Sequence, residues 1–145
     1  GPLTGSTTWY HSTPLPPTDN AELIVDSQSR GPVVNSIVIS NLSRTYAPNG
    51  QHLISSTTIK HSSESEVRRH LTQMWGVSTE EWRFLAKYEI NSALPLFGPG
   101  FKKRQAVKIE KNIYCAGDYL ESPSQNGALL SGRRAAEQLL IDQRR

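Results

Sequence analysis

The 145-residue sequence is short of cysteine, of long apolar runs and of charge of one sign. A single cysteine, Cys115, excludes an internal disulfide and indicates the cytoplasm or another reducing compartment. No apolar run reaches the roughly 20 residues of a membrane-spanning helix. Sixteen basic and thirteen acidic residues give a net charge of +3, and the basic residues form short clusters, as at 102–104 and 144–145. We therefore expect neither a membrane span nor nucleic-acid binding.

Recognisable catalytic and metal-binding patterns are missing as well. Four histidines show no metal-ligand spacing, so we predict no metal site; they are His11, His52, His61 and His70. No Ser-His-Asp or Cys-His arrangement stands out, and we assign no catalytic residue. No Gly-x-Gly-x-x-Gly follows a strand, so nothing in the sequence is suited to bind a pyrophosphate.

The first hundred residues combine short β-type runs with one helix. Turn formers separate runs that we predict to be strands of an antiparallel sheet: 7–12, 22–25, 36–40 and 52–60. Ser62 or Ser63 can cap a helix that ends at Gly76, because apolar residues recur there every three or four positions. Residues 82–90 alternate as in a strand, whereas the Pro- and Gly-rich residues 93–100 are predicted to be irregular.

The last third changes to a strand, a loop and a helix, predicted over 112–116, 117–126 and 127–143. One side of that helix is apolar but carries small residues at its middle, at Gly132, Ala135 and Ala136. Arg133, Arg134, Glu137 and Gln138 are expected to face away from it. We therefore expect this side of the helix to pack closely against another backbone, as in dinucleotide-binding sheets.

Three features of this segment are suited to bind a polyol chain that ends in an electron-accepting ring. Gly117 at the strand end lets a ligand approach the backbone. Asp118 offers a carboxylate that accepts hydrogen bonds from hydroxyls. A helix opening at Gly127 presents free N–H groups and the positive end of its dipole.

The stretch from Ile113 to Tyr119, with 127–136 after it, resembles the C-terminal flavin motif of the flavin amine oxidase and phytoene-desaturase-like superfamily. The resemblance implies that Asp118 binds the ribityl hydroxyls of FAD, with Gly117 and Gly127 beside it. It also implies that the N–H of Ala128 or Leu129 faces the flavin O2. The upstream resemblance is looser and covers Ala93-Leu94-Pro95 and the sheet.

An α+β fold follows from this resemblance: an antiparallel substrate-domain sheet with a helix over residues 1–100, then the C-terminal strand–loop–helix of a Rossmann-like FAD domain over 101–145. The chain would be the C-terminal part of an FAD-dependent oxidoreductase that oxidises or desaturates a small organic substrate by hydride or electron transfer. Its partner would be a missing N-terminal FAD-binding half, and we expect the 145 residues alone to be inactive and to hold no flavin.

Two alternatives stay open at this stage. Amine oxidases often place an aromatic residue between the acid and the helix, but residues 124–126 here are Ser-Gln-Asn, which favours the desaturase-like branch. The strand–loop–helix is also compatible with a stand-alone, non-catalytic protein-interaction module.

Overall fold

The computed structural model describes residues 2–144, which form two compact units. Residues 5–91 make up the first unit, and residues 92–144 with residues 2–4 make up the second. The predicted α+β architecture, with an antiparallel sheet and a C-terminal strand–loop–helix, is confirmed. Among the described residues no helix combines the length and the apolar character needed to cross a bilayer.

A five-stranded sheet in the order β2-β3-β4-β1-β5 dominates the first unit. The pairs β1–β4, β3–β4 and β2–β3 are antiparallel. The strands are β1 (Leu3–Thr13), β2 (Ile24–Val25), β3 (Val33–Val38), β4 (His52–Thr58) and β5 (Arg83–Pro95). Helix α1 (Glu64–Trp75) lies between β4 and β5 in sequence.

The hydrophobic core lies between α1 and one face of the sheet, which we call the covered face. Val67 and Leu71 of the helix are fully buried against residues of three strands and the segment before β5; the core consists of Trp9, Val33, Val38, Ile54, Val67, Leu71 and Trp82. Several polar residues on the covered face bond to one another. The indole of Trp9 donates to Thr58 Oγ1 at 3.1 Å, and Ser36 and Ser56 hydroxyls lie 2.9 Å apart.

Both ends of α1 follow the sequence prediction. Ser63 accepts a hydrogen bond from the Glu66 N–H, and the Glu66 carboxylate accepts one from the Ser63 N–H at 2.8 Å. This reciprocal capping box satisfies two backbone donors that the helix itself leaves free. Gly76 ends the helix in the left-handed region, with φ of 69°, which glycine adopts without steric cost.

The second unit is smaller and depends more on polar contacts. It contains the hairpin β6 (Lys108–Glu110) and β7 (Ile113–Tyr114), a 3-10 turn (Asp118–Leu120) and α2 (Gln125–Gln143). The Asp142 carboxylate of α2 accepts hydrogen bonds from Lys108 Nζ at 2.5 Å and from the Tyr114 hydroxyl at 2.6 Å. These two contacts connect the hairpin to the end of the helix.

Sequence reasoning misplaced several boundaries. Strand β3 begins at Val33 and gives way to a 3-10 turn at Ile39–Asn41, although we predicted a strand over 36–40. The prediction that 93–100 is irregular is wrong for its first three residues, because β5 runs to Pro95. Proline is tolerated there because β5 is an edge strand and Pro95 is its last residue.

The expected strict alternation of 82–90 is also interrupted. Phe84 and Lys87 both lie against the Trp9 ring, at 6.2 Å between ring centroids and at 5.3 Å from Nζ. Two residues an odd number of positions apart cannot share a face in a regular strand, so the pleat changes phase between them. As a result Leu85 and Tyr88 both face away from α1, beside Tyr10.

A buried Asp–His pair holds the loop before β3 onto α1. His70 Nδ1 accepts the Val33 N–H at 3.0 Å, so the proton is on Nε2, which donates to Asp26 at 2.9 Å. Gly31 lies so close that a Cβ there would overlap the imidazole. Burial raises the pKa of Asp26, but hydrogen bonds from Arg30, Gln28 and His70 outweigh it and lower the pKa to about 2.

We therefore expect Asp26 to contribute an acid-sensitive part of the stability. Because its pKa is lower in the folded state than the ordinary 3.8, this contribution is complete above 3.8 and is lost as the pH falls through about 2. Asp26→Asn should lower the melting temperature at neutral pH. The difference in melting temperature between variant and wild type should become smaller as the pH falls from 3.8 to about 2. Thermal melts against pH test this, with the exposed Asp19→Asn as control; a gap independent of pH would contradict the assignment.

Candidate functional site

The turn after β7 is connected directly to α2. The Gly117 N–H donates to Ser131 Oγ at 2.8 Å, and this hydroxyl donates to the Ala128 carbonyl at 2.9 Å. Ser131 is fully buried, so its hydroxyl has no water to replace these partners. Ser131 thereby fixes the position of the turn after β7 relative to the first turns of α2.

Asp118 is the first residue of the 3-10 turn that follows. Its backbone carbonyl accepts the Glu121 N–H at 2.9 Å. Its carboxylate makes no hydrogen bond to any residue between 2 and 144, in contrast to Asp142, whose pKa Lys108 and Tyr114 lower to about 2. Asp118 therefore keeps its full hydrogen-bond accepting capacity for a ligand.

Helix α2 starts two residues earlier than predicted, so the expected opening at Gly127 is wrong. Ser124 is the N-cap, and its hydroxyl accepts the Gly127 N–H at 3.0 Å. The Ala128 N–H already donates to the Ser124 carbonyl at 3.0 Å, and Leu129 lies a full turn inside the helix. Neither of these two residues therefore presents the free N–H that we predicted.

The open donors at the start of α2 belong to Gln125 and Asn126 instead. Their N–H groups make no hydrogen bond within the part of the chain that the structure describes. The serine at 124 is a standard N-cap residue, and this signal could have placed the helix start correctly from sequence. Sequence reasoning missed it because Gly127 was treated as the first helical residue.

The two glycines of the site are required by the chain itself. A Cβ on Gly127 would overlap the backbone carbonyl of Ser122, so only glycine allows the tight entry into α2. A Cβ on Gly117 would overlap the ring of Tyr119, which occupies the space that we had expected a ligand to approach. Gly117 is thus a packing residue in this structure.

The face of α2 that packs is not the one that we predicted. Gly127 and Ser131 are buried, and Arg134, expected to face away, forms an ion pair with the buried Glu121 and donates to the Gln105 carbonyl at 2.8 Å. A Cβ on Gly132 would meet nothing within 4 Å. The ion pair between Arg134 and Glu121 sets the orientation of α2, because the carboxylate of Glu121 is buried and needs a counter-charge. Five large apolar residues of the helix are consequently exposed: Leu129, Leu130, Leu139, Leu140 and Ile141.

The face of the sheet opposite α1, which we call the open face, carries two neighbouring cavities. A cavity of about 830 Å³ lies beside Tyr10 and Tyr88, whose rings meet edge to face at 5.9 Å. A second cavity of about 630 Å³ shares Leu53 and Leu85 with the first. Sequence reasoning missed this surface because the change of phase in β5 puts Leu85 and Tyr88 on one side.

His11, Trp9 and Trp82 have structural roles. His11 is fully buried, its Nε2 lies 3.2 Å from the Glu64 carboxylate, and burial lowers its pKa. Trp9 and Trp82 belong to the core. Within residues 2–144, no three His, Cys, Asp or Glu side chains come together as a metal site would require.

Comparisons with known proteins place these features in context. A family model described as flavin containing amine oxidoreductase matches residues 2–140. An oxidoreductase from Methanosarcina mazei is similar in structure, with 12% identity, a TM-score of 0.61, and coverage of 93% of this chain and 34% of that one. A protein from Pyrococcus furiosus has 15% identity, a TM-score of 0.63, and coverage of 97% and 33%.

These structural likenesses establish the fold alone, because the identities are low. The chain spans about a third of the length of the solved structures that it matches. No curated protein matches the chain.

The two glycines of α2 provide a matched test of the site's packing. Gly127→Ala should destabilise the protein by about 1–3 kcal/mol, because the new methyl overlaps the Ser122 carbonyl. Gly132→Ala should stabilise it by about 0.5–1 kcal/mol, because the position is open and alanine favours the helix. Denaturant unfolding measures both. Equal effects of the two substitutions would contradict the packing described here.

Proposed function

Because this chain belongs to the flavin-containing amine oxidoreductase family, we propose that it is part of an FAD-dependent enzyme that oxidises or desaturates an apolar organic substrate. The family resemblance that the sequence predicted is confirmed by the match over residues 2–140. The cofactor assignment in this chain is carried by one observation: an unengaged Asp118 carboxylate near the beginning of α2 in sequence, where two backbone N–H groups are open.

The residues present fit the flavin end of FAD. Asp118 offers a carboxylate that accepts hydrogen bonds from ribityl hydroxyls, and such charge-assisted bonds are the stronger class. Gln125 and Asn126 replace Ala128 and Leu129 as the proposed backbone donors, because their N–H groups are the open ones. Gly117, Gly127 and Ser131 hold the turn and the helix start in place.

When bound, FAD supplies the acceptor for the hydride or electrons that leave the substrate. The contribution of this chain is electrostatic. The positive end of the α2 dipole and the open N–H groups favour a ligand that gains negative charge at that point. Asp118 orients the ligand through its hydroxyls, and no residue of the chain is proposed to act as an acid or a base.

The pyrophosphate of FAD would be bound by a segment outside these 145 residues. Tight binding of a dinucleotide draws on a Gly-x-Gly-x-x-Gly turn and the helix that follows it, and the sequence has no such turn. The chain also spans only about a third of the structures that it matches. We therefore propose that the complete protein, rather than this part, retains the cofactor.

The open face of the sheet is the proposed substrate surface. Its cavities are lined mainly by apolar and aromatic side chains. Lys87 and Glu89 at the first cavity form an ion pair, and Glu81 and Arg83 at the second carry opposite charges. A surface without net charge suits an uncharged, largely apolar molecule. Together with Ser124 and its two neighbours in place of an aromatic residue, this favours oxidation or desaturation at carbon over amine oxidation.

We expect Asp118→Ala to weaken FAD binding in the complete protein by about one to two orders of magnitude, because hydrogen bonds to a charged acceptor are worth about 1.5–3 kcal/mol. Flavin absorbance retained after gel filtration, and titration of the apoprotein with FAD, measure the change. Asp19→Ala, an exposed carboxylate with no hydrogen bond to the described residues, is the control. Unchanged affinity in a folded Asp118→Ala protein would remove Asp118 from the site and favour a non-catalytic interaction module.

The substrate surface has a test that needs no known substrate. An uncharged apolar dye such as Nile red should bind the open face and fluoresce, and Leu85→Glu should weaken this binding because a charge then lines both cavities. Leu42→Glu is the matched control, since Leu42 is 60% exposed and lines neither cavity. An equal loss in both variants would show that the dye does not report on the cavities.

A further inference from the structure

We propose that a pocket beside α1, on the covered side of the sheet, binds a small molecule through a phosphate or carboxylate group. The pocket has a volume of about 350 Å³ and lies entirely within the first unit. Three cationic side chains line it, and each comes from a different segment: Arg30 from the loop before β3, Lys60 from the segment between β4 and α1, and Arg69 from α1. We call it the basic pocket.

The positive charges of the basic pocket are largely unengaged. Lys60 and Arg69 side chains make no ion pair or hydrogen bond with another residue of the described range 2–144. Arg30 uses only its Nε, which donates to Asp26 at 3.0 Å, so its two Nη groups stay available. A guanidinium presents paired donors that match the oxygens of a phosphate or carboxylate.

The acidic and imidazole groups at the pocket do not cancel this charge. Glu66 is the one carboxylate that lines it, and its Oε2 is already engaged by the N–H and hydroxyl of Ser63 at 2.8 and 2.7 Å. Asp26 balances Arg30. Both ring nitrogens of His70 are already engaged, Nδ1 by the Val33 N–H and Nε2 by Asp26. Lys60 and Arg69 therefore exceed Glu66 by one positive charge.

One wall of the basic pocket is built with little freedom to move. His70 is held between the Val33 N–H and Asp26, and Gly31 leaves no room for a side chain above its ring. Arg30 is held by the same Asp26, which also accepts the Arg30 N–H at 2.6 Å. A pre-organised donor loses less conformational entropy when a ligand binds.

This site is separate from the proposed substrate surface. The basic pocket is lined by Arg69, His70 and other residues of α1, which covers one face of the sheet, whereas Tyr10 and Leu53 belong to the open face. Successive residues of a strand point to opposite faces, so the two surfaces do not merge through the sheet. The basic pocket would thus bind an anionic effector or a second ligand, and its occupancy does not depend on FAD.

Titration of the purified protein with inorganic phosphate and, separately, with succinate tests the proposal. Amide chemical shifts at constant ionic strength should saturate for at least one of the two anions, at residues around Gly31, Lys60 and Arg69, and the tighter anion identifies the ligand group. The double variant Lys60→Gln, Arg69→Gln should weaken this binding about tenfold or more, because both unpaired charges are lost.

Lys102→Gln, Lys103→Gln is the matched control, because it removes two charges that do not line the pocket. Thermal melts establish that both double variants fold. Saturable shifts that weaken only in the pocket variant support the site. Absence of saturation for both anions, or equal weakening in the two double variants, would overturn it. A negative result here would leave the FAD proposal untouched, because that proposal rests on Asp118.

Discussion

The first unit depends on the contact of Val67 and Leu71 with one face of the sheet. A single helix of twelve residues supplies nearly all the cover, and the sheet has two faces. The covered face is therefore the only one that excludes water well, and its polar residues must bond one another, as Trp9 does with Thr58. The open face keeps aromatic and aliphatic residues at partial exposure, and this imbalance creates the cavities that we assign to the substrate.

The second unit is organised by a different principle. Only a few of its apolar residues are buried, among them Val107 and Leu120, and this is too little to fix the turn at Gly117 by packing alone. Directional contacts take over this role. Ser131 connects the turn to α2, Arg134 connects α2 to Glu121, and Asp142 connects α2 to the hairpin. Hydrogen bonds thus keep the geometry of the turn at Gly117 even though the apolar side of α2 is exposed.

Polar pairs also explain why the first unit carries charge near its surface without losing order. The capping box at Ser63, the Asp26–His70 pair and the contacts of Arg68 with the carbonyls of Thr79 and Trp82 each satisfy backbone or buried groups. Lys60 and Arg69, in contrast, have no partner among the described residues. The unused donors of Lys60 and Arg69, beside an Arg30 side chain that Asp26 holds in place, are the physical basis of the proposed anion site.

Much of this protein was determined by its sequence alone. Caps, turn residues and apolar periodicity act over a few positions, so they placed α1 between Ser63 and Gly76 correctly. Such reasoning could not predict the change of phase in β5 or which face of α2 packs against the rest of its unit. The change of phase depends on the contacts of both Phe84 and Lys87 with Trp9. The packing face of α2 depends on the ion pair between Arg134 and the buried Glu121. Contacts between residues distant in sequence decided both, because the free energy of burying a ring or a charge exceeds any local preference.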